Sequence, residues 1–257
     1  MSALLEAKQV SKHFGGLKAV DSVDMTINKG DIFGIIGPNG AGKTTFFNMC
    51  SGIYPITSGE IWLDGENITN MHSEVIARKG MARTFQNIQL FKYMSVLENV
   101  KIGFHINTKT RLWDSILHSS TYKKDEKLAE EKGLEILERV GLTEFKDTMA
   151  GNLSYGVQRR VEIARALALN PKILLIDEPA AGMNPNETRE LTELIRWIKD
   201  NYDVTIILIE HDMSLVMNVC NKLFVLDYGT LIAEGNPEEV KNNERVIEAY
   251  LGRSAAC

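Results

Sequence analysis

Residues 37–45, GPNGAGKTT, match the pattern G-x-x-x-x-G-K-[ST] between an apolar strand, IFGII, and the start of a helix. In such a loop the backbone N–H groups wrap a phosphate, and glycines allow an approach that side chains would block. Lys43 would reach the outer phosphates, and the Thr44 hydroxyl would bind Mg²⁺. A glycine-rich turn that binds nothing is the alternative. The candidate phosphate-binding residues are Gly37, Pro38, Asn39, Gly40, Ala41, Gly42, Lys43, Thr44 and Thr45.

Two carboxylates follow a run of apolar residues in ILLIDEP, residues 173–179. Side chains alternate along a strand, so we expect Asp177 and Glu178 to point in opposite directions. One carboxylate can then bind Mg²⁺ while the other acts on a water molecule. We assign Asp177 to the metal and Glu178 to activation of the attacking water. The alternative is a pair of ordinary acidic residues at a strand end.

His211 and Gln86 are weaker candidates for the same site. His211 follows another buried strand, VTIILIE, and taken alone it is more often a surface residue or one with its hydrogen bonds satisfied. Beside a phosphate site on the same sheet edge, it can donate a hydrogen bond to the terminal phosphate. Gln86 lies in RTFQNIQLF, and a lone glutamine is usually a surface residue.

A second helix start in the chain also suits an anion. In NLSYGVQRRVEIARALALNP, residues 152–171, Ser154 can cap a helix and Gly156 falls in its first turn. Both leave backbone N–H groups open to an anion. By contrast, NKGD at residues 28–31 matches the guanine-reading motif of GTPases but precedes the phosphate loop, so we interpret it as a turn.

The elements that would position these residues are of two kinds. Short strands dominate the first third of the chain, and two continuous apolar runs after residue 172 indicate parallel strands buried on both faces. Residues 95–170 are predicted to form a mostly helical subdomain, opened by a capping box at Ser95 and Glu98. Residues 236–257 are predicted to form a helical tail. We treat residues 1–257 as one domain in which the helical part is an insertion.

Composition restricts the class of partner. The 257 residues are 44% apolar and 25% charged with a net charge of −5, which argues against a nucleic-acid partner. The three cysteines form no CxxC pair, so we expect reduced thiols and no zinc site. No apolar run approaches the ~18 residues of a membrane-spanning helix, and the first residues do not form a signal peptide. We therefore expect a cytoplasmic protein.

Taken in order, these motifs resemble the ATP-binding cassette (ABC) transporter family over nearly the whole chain. The resemblance is carried by the phosphate loop, Gln86, LSYGV (153–157), ILLIDE (173–178), AAGMN (180–184) and His211. It implies an α/β fold: a P-loop NTPase core of the ABC ATPase type, an N-terminal antiparallel β subdomain and an inserted helical subdomain. It also implies ATPase activity, with ATP and Mg²⁺ bound.

The resemblance also explains the second anion-binding helix start. In that family two cassettes dimerise head to tail, so Ser154 and Gly156 would bind the terminal phosphate held by Lys43 of the other copy. Phe14 would stack on adenine. Gln86 would touch Mg²⁺ and the attacking water, and the stretch 85–93 would help form the groove for a helix of a membrane partner.

The sequence departs from the family pattern at three positions. Tyr155 stands where glycine is frequent, Val157 where glutamine is common, and Asn184 where aspartate is typical. Ser154 and Gly156 remain, so we expect an active ATPase. These departures bear on the strength of the contact between cassettes.

A narrower resemblance concerns the cargo. FGGLKAVDSV, ARTFQNIQLF, EPAAGMNP and the ending VIEAYLG resemble the first ATPase subunit of branched-chain amino acid importers and its relatives for urea and amides. That subgroup also carries an insertion like residues 104–125. The implied partners are integral-membrane permeases, a second cassette (a paralogue or itself) and, indirectly, a periplasmic substrate-binding protein, at the inner face of the membrane. The alternatives are an export or lipid-extraction ATPase and a soluble ABC protein outside transport.

Overall fold

The computed structural model describes residues 3–107 and 120–254, which form two compact units. The first unit is built from the residues up to Arg83 and from Lys172 onward, and the second unit is Thr84–Pro171. The second unit therefore begins before residue 95, and its first α-helix begins at Val96. The expected insertion at 104–125 falls partly on residues 108–119, which lie outside the described residues.

The described residues contain ten strands and nine α-helices. The strands are β1 (Ala3–Phe14), β2 (Leu17–Asn28), β3 (Ile32–Ile36), β4 (Ser58–Leu63), β5 (Glu66–Asn67), β6 (Met81–Arg83), β7 (Ile173–Asp177), β8 (Thr205–Ile209), β9 (Lys222–Asp227) and β10 (Thr230–Gly235). The α-helices are α1 (Lys43–Cys50), α2 (Ser73–Arg78), α3 (Val96–Phe104), α4 (Ser120–Arg139), α5 (Tyr155–Leu167), α6 (Pro185–Asn201), α7 (Met213–Val219), α8 (Pro237–Lys241) and α9 (Glu244–Ser254).

An antiparallel sheet of four strands, in the order β2-β1-β4-β5, forms in the first unit. The predicted alternation in β2 is confirmed, because Val23, Met25 and Ile27 are buried while Asp24 and Thr26 are exposed. This pattern is typical of an antiparallel sheet with one face on the core and the other in water. Strand β1 was not identified from the sequence.

A second sheet of six strands has the order β10-β9-β3-β8-β7-β6, with parallel pairing everywhere except at β10. Its central strands β3, β7 and β8 are fully buried, as their continuous apolar sequences predicted. Gly30, with φ 91°, lies in the connection between β2 and β3, so NKGD is a turn. Tyr228 and Gly229, with φ of 44° and 79°, form the two-residue turn between β9 and β10.

Both sheets and α1 contribute to one hydrophobic core in the first unit. Phe33 of β3 and Phe224 of β9 stack with ring centroids 6.0 Å apart. Cys50 and Cys220 are free and buried, and burial raises the pKa of each thiol to about 12. Both thiols therefore stay protonated near neutral pH, whereas Cys257 lies outside the described residues.

The second unit is built from α3, α4 and α5. The capping box at the start of α3 is confirmed: Glu98 N–H donates to the Ser95 hydroxyl at 3.1 Å, and Ser95 N–H donates to the Glu98 carboxylate at 2.7 Å. The apolar face predicted around α4 is buried, at Ala129, Gly133, Ile136, Leu137 and Val140.

The predicted helical tail contains two helices, α8 and α9. Asn236 caps α8 through its side chain, and the following helix begins at Glu244. Residues 255–257 lie outside the described residues. Within the ranges 3–107 and 120–254, no helix has both the length and the apolar character needed to cross a membrane.

Candidate functional site

The loop between β3 and α1 has a backbone that requires glycine. Gly37, Gly40 and Gly42 have φ of 148°, 78° and 99°, in the left-handed region that other residues rarely adopt. A Cβ at Gly37 would lie 2.0 Å from the Leu226 carbonyl oxygen, and one at Gly42 would lie 2.4 Å from the Ala19 carbonyl oxygen. Strands β9 and β2 therefore approach the loop too closely for any side chain at these two positions.

Lys43 opens α1 and is only 5% exposed. Its Nζ donates to the carbonyl oxygens of Gly37 at 2.8 Å and Pro38 at 3.0 Å. The ammonium is therefore held against the loop at the N-terminus of α1, where the helix dipole also favours an anion. This donor set fits a polyphosphate.

A cavity of about 530 Å³ lies over this loop. Its lining residues are Phe14, Leu17, Lys18, Ala19, Asn39, Gly40, Ala41, Gly42, Lys43, Thr44, Thr45, Glu178, His211 and Tyr228. The cavity thus brings together most of the residues assigned to nucleotide binding, together with both Glu178 and His211. The Phe14 ring is 44% exposed and packs edge-on against Tyr54, with ring centroids 5.5 Å apart.

Asp177 ends β7 and does not line this cavity. Its carboxylate accepts a hydrogen bond from Arg83 Nη2 at 2.8 Å, in an ion pair whose side chains are 3% and 7% exposed. Arg83 Nη1 also donates to Asn48 Oδ1 at 2.7 Å and to Ser51 Oγ at 2.8 Å. Arg83 therefore links the strand that carries Asp177 to the helix that follows the phosphate loop. Asp177 and Thr44 carry oxygen atoms of the kind that Mg²⁺ prefers as ligands.

Glu178 leaves β7 with φ 43°, a left-handed conformation that costs a residue with a side chain about 1–2 kcal/mol. The strand alternation assumed from the sequence therefore does not extend to Glu178, and Glu178 lines the cavity whereas Asp177 does not. Glu178 Oε1 lies 2.6 Å from His211 Nε2. The two side chains form a contacting pair on the wall of the cavity.

Ser154 and Gly156 lie in the second unit, at the start of α5. Ser154 occupies the N-cap position with an extended backbone, but its side chain makes no capping hydrogen bond, contrary to our expectation. Its exposed hydroxyl is thus not committed to the helix end. Tyr155, one of the departures from the family pattern, accepts a hydrogen bond at Oη from Arg159 Nη2 at 3.2 Å.

Gln86 is exposed in the second unit, and its backbone is held by a buried ion pair on α5. Arg159 Nη1 donates to Glu162 at 2.7 Å, with side chains 0% and 1% exposed. Arg159 also donates to the carbonyl oxygens of Phe85 at 2.6 Å and Gln86 at 2.8 Å. Glu162 accepts the N–H groups of Phe85 and Gln89, each at 3.3 Å.

Sequence reasoning missed three residues that support the site. Arg83 carried no signal beyond its position shortly before Gln86. Glu210 follows a buried strand and precedes His211, which was a visible signal. Tyr250 on α9 carried no sequence signal. Burial raises the pKa of its phenol, and a hydrogen bond with the Gly37 backbone opposes that rise.

Comparisons with known proteins cover nearly the whole chain. The family described as ABC transporter matches residues 20–181, and the family described as branched-chain amino acid ATP-binding cassette transporter matches residues 230–256. LivG of Salmonella typhimurium and BraF of Pseudomonas aeruginosa, both high-affinity branched-chain amino acid transport ATP-binding proteins, are each 44% identical over 251 residues, which is 98% of either chain.

A solved structure has the same fold. The ADP conformation of MJ1267, an ATP-binding cassette of an ABC transporter, superposes with a TM-score of 0.85 at 36% identity, covering 98% of this chain and 100% of that one. The expected fold class is confirmed by this likeness and by the two sheets described above. The chain belongs to the ABC transporter family, as one of its ATP-binding cassettes.

Proposed function

We propose that this chain is the ATP-hydrolysing subunit of a membrane importer for branched-chain amino acids. The observation that carries the proposal is the cavity in which the phosphate loop, Glu178 and His211 meet. The substrate class is supported by the relatives LivG and BraF, which are named for branched-chain amino acid transport. A urea or amide importer and an export or lipid-extraction system are the alternatives, and a soluble ABC protein outside transport is the weakest.

Binding of ATP would use the cavity wall and the loop. Phe14 would stack on the adenine, since its exposed ring lies at the cavity while Tyr54 supports its edge. The loop N–H groups and the Lys43 ammonium would bind the phosphates. The assigned residues are Gly37, Pro38, Asn39, Gly40, Ala41, Gly42, Lys43, Thr44 and Thr45.

Hydrolysis would depend on a metal and a base. Thr44 and Asp177, with Gln86, would hold Mg²⁺, which when bound neutralises charge on the phosphates. Glu178 would accept the proton of the water that attacks the terminal phosphate, so that the products are ADP and inorganic phosphate. His211 would orient this carboxylate through the 2.6 Å contact and donate a hydrogen bond to the terminal phosphate.

A second cassette would complete the site. Ser154 and Gly156 of one copy would bind the terminal phosphate held by Lys43 of the other, and the uncommitted Ser154 hydroxyl supports this role. Each hydrogen bond to a charged phosphate oxygen is worth roughly 1.5–3 kcal/mol. Loss of the phosphate removes these bonds, so the dimer would close on ATP and open after hydrolysis.

The membrane partners would dock on the stretch 85–93. Phe85, Phe91 and Tyr93 are 37%, 52% and 93% exposed, which leaves apolar surface for a permease helix. We place the chain in the cytoplasm, peripheral on the inner face of the membrane. A periplasmic substrate-binding protein would act on it only through the permeases.

The test of the enzymatic role compares wild type with Glu178→Gln by light scattering and phosphate release, with and without Mg²⁺. We expect Glu178→Gln to form an ATP-dependent dimer and to release no phosphate. Lys43→Ala, which removes a phosphate ligand, should neither dimerise nor hydrolyse ATP. Phosphate release by Glu178→Gln at the wild-type rate would overturn the role of Glu178.

The cargo is tested by uptake in cells. A strain deleted for this gene should lose uptake of labelled leucine and keep uptake of labelled urea, and the wild-type gene should restore leucine uptake. Loss of urea uptake instead would favour the amide branch. Unchanged uptake of both would favour the export alternative.

A further inference from the structure

A carboxylate that has no assigned role lies between the two loops that carry Glu178 and His211. Glu210 directly follows β8 and is only 4% exposed. Its Oε1 accepts the N–H of Ala180 at 2.7 Å, and its Oε2 accepts the N–H of His211 at 2.8 Å and of Asp212 at 3.1 Å. One side chain therefore joins the loop after β7 to the loop after β8.

Burying a carboxylate is costly unless its hydrogen bonds are made. Among residues 3–107 and 120–254, no Lys, Arg or His forms a salt bridge with Glu210, so backbone N–H groups provide its hydrogen bonds. Bonds from N–H groups to an ionised oxygen are about twice as strong as neutral ones. The buried charge is therefore well suited to holding two backbone segments in one geometry.

The first segment is the backbone around Glu178, which is left-handed at φ 43°. A conformation of this kind persists only where its surroundings hold it. Glu178 N–H donates to the Ile209 carbonyl oxygen at 2.9 Å. Beyond it lies Pro179, which has no N–H, so the next N–H along the loop is that of Ala180, bound by Glu210. Ile209 and Glu210 thus hold the loop on both sides of Glu178.

The second segment is the backbone of His211. Its N–H is bound by Glu210, while its ring Nε2 lies 2.6 Å from Glu178 Oε1. Glu210 consequently restrains the main chain next to both members of the contacting pair, although it does not line the cavity itself. Glu210 therefore acts on the site through these loops.

We propose that Glu210 is a positioning residue for ATP hydrolysis, whose carboxylate clamps the loops of Glu178 and His211 together so that both side chains face the cavity. This inference rests on the proposed ATPase function. Because Glu210 acts on the geometry of the base and not on the phosphate loop, it sets the turnover rate more than the affinity for nucleotide.

The test uses the full-length chain with Glu210→Gln, Glu210→Ala and Glu210→Asp. Glutamine keeps the shape but places an NH₂ donor where one backbone N–H must be accepted. Aspartate keeps the charge on a shorter side chain. Glu239→Gln is the matched control, because Glu239 also accepts a backbone N–H, that of Asn236 at 2.9 Å, and lies outside the cavity.

Two readouts are compared. In nucleotide-free protein, hydrogen exchange should rise in residues 178–184 and 209–213 together for the Gln and Ala variants, and remain unchanged elsewhere. In steady-state kinetics, kcat should fall about tenfold or more, because small displacements of a catalytic group are costly, while KM and the Kd for a fluorescent ATP analogue change less than about threefold. Glu210→Asp should recover part of kcat, and Glu239→Gln should match wild type.

Three results would overturn the proposal that Glu210 holds the two loops together. The first is a wild-type kcat in both Glu210→Gln and Glu210→Ala. The others are hydrogen exchange that rises throughout the chain and a loss of nucleotide affinity equal to the loss of kcat. If Glu210→Ala fails to fold, Glu210→Gln decides the question. A wild-type chain that binds ATP without hydrolysing it would contradict the proposed function instead, and the exchange readout would still decide whether Glu210 holds both loops.

Discussion

At the scale of single residues, the carboxylate of Asp177 depends on one guanidinium. Arg83 is its ion-pair partner, and both side chains are more than nine-tenths buried. Removing one member of such a pair leaves the other as an uncompensated buried charge. The same guanidinium also binds Asn48 and Ser51, so its loss affects two elements at once.

We therefore expect Arg83→Met to lower the free energy of unfolding by about 3–5 kcal/mol. Urea denaturation followed by tryptophan fluorescence measures the change. Arg78→Met is the control, because the Arg78–Glu74 pair, at 3.1 Å, is exposed by 57% and 74%, and such surface pairs contribute about 0–1 kcal/mol. Equal losses of unfolding free energy in the two variants would show that the buried Arg83–Asp177 pair stabilises the fold no more than a surface pair does.

Site residues that lie in short motifs are easier to predict from the sequence than site residues that act through distant partners. The phosphate loop is encoded in nine consecutive residues, residues 37–45, and Asp177 and Glu178 are adjacent, so short motifs suffice to find them. Arg83 and Glu210 act through partners that are distant in sequence or through backbone N–H groups, which leave no pattern. The left-handed backbone of Glu178 is likewise fixed by tertiary bonds, so the strand rule applied from the sequence does not hold there.

At the scale of secondary structure, the departure at Asn184 has a structural explanation. Asn184 caps α6, because its Oδ1 accepts the N–H groups of Asn186 at 2.9 Å and Glu187 at 3.1 Å. Glu187 returns a bond from its carboxylate to the Asn184 N–H at 2.9 Å, which completes a capping box. Aspartate and asparagine serve this purpose equally well.

Asn184→Ala should therefore cost about 1 kcal/mol of unfolding free energy, whereas Asn184→Asp should change it by a few tenths. Thermal unfolding followed by circular dichroism measures both variants. Asn186→Ala, which leaves the capping side chain in place, is expected to stay within about 0.5 kcal/mol of wild type. A stable Asn184→Ala variant would mean that the cap does not limit the stability of α6.

The buried Arg159–Glu162 pair on α5 should contribute more to holding the backbone of residues 85–89 than to the stability of the fold. Arg159→Met leaves Glu162 unpaired and should cost about 3–5 kcal/mol, while Arg159→Met with Glu162→Leu should recover most of that loss. The double variant still lacks the bonds to residues 85–89, so their amides should exchange about tenfold faster or more, since bonds to charged groups are worth roughly 1.5–3 kcal/mol.

Hydrogen exchange with mass spectrometry reports on residues 85–89, and urea denaturation reports on stability. The exposed pair Arg139–Glu135, with side chains 44% and 54% exposed, gives the control, and Arg139→Met should alter neither readout. Full protection of residues 85–89 in the double variant would show that the pair is not what holds them.

Strands and helices were predictable where their periodicity is regular. The alternation in β2, the continuous apolar runs of β3, β7 and β8, and the buried stripe of α6 all follow their sequence pattern. Strand β1 was missed because its pairing with β2 shifts register several times and Gln9 has φ 50°. These irregularities break the period of two, so ALLEAKQVSKHF lacks the expected alternation.

At the scale of the whole molecule, distant parts of the first unit meet at the phosphate loop. The Gly229 N–H donates to the Ala41 carbonyl oxygen at 3.0 Å, and the Asp21 N–H donates to the Gly229 carbonyl oxygen at 2.8 Å. Tyr250 of the last helix is hydrogen-bonded to the backbone of Gly37. A ligand on this loop is therefore connected to strand β2, to the turn between β9 and β10 and to the last helix.

Nucleotide should accordingly stabilise the folded protein as a whole. At a free ATP concentration one hundred times Kd, linkage predicts about 2.7 kcal/mol of stabilisation, or a rise in Tm of roughly 5–10 °C. Differential scanning fluorimetry in EDTA, which prevents turnover, measures the shift. Lys43→Ala should abolish it and Lys29→Ala, whose exposed ammonium pairs with Asp203 at 2.6 Å, should keep it. A shift retained in Lys43→Ala would place the stabilising site elsewhere.

The order of strands in the larger sheet determines when, during synthesis, the phosphate loop gains its neighbouring strands. Strand β3, which leads into the phosphate loop, is hydrogen-bonded on one side to β8 and on the other to β9, and both follow the entire second unit in the chain. A ribosome therefore completes the phosphate motif long before either neighbour exists, and the motif has no sheet to hold it until residue 227 has emerged. We therefore expect chains that terminate before β8 and β9 to carry the full motif without binding nucleotide.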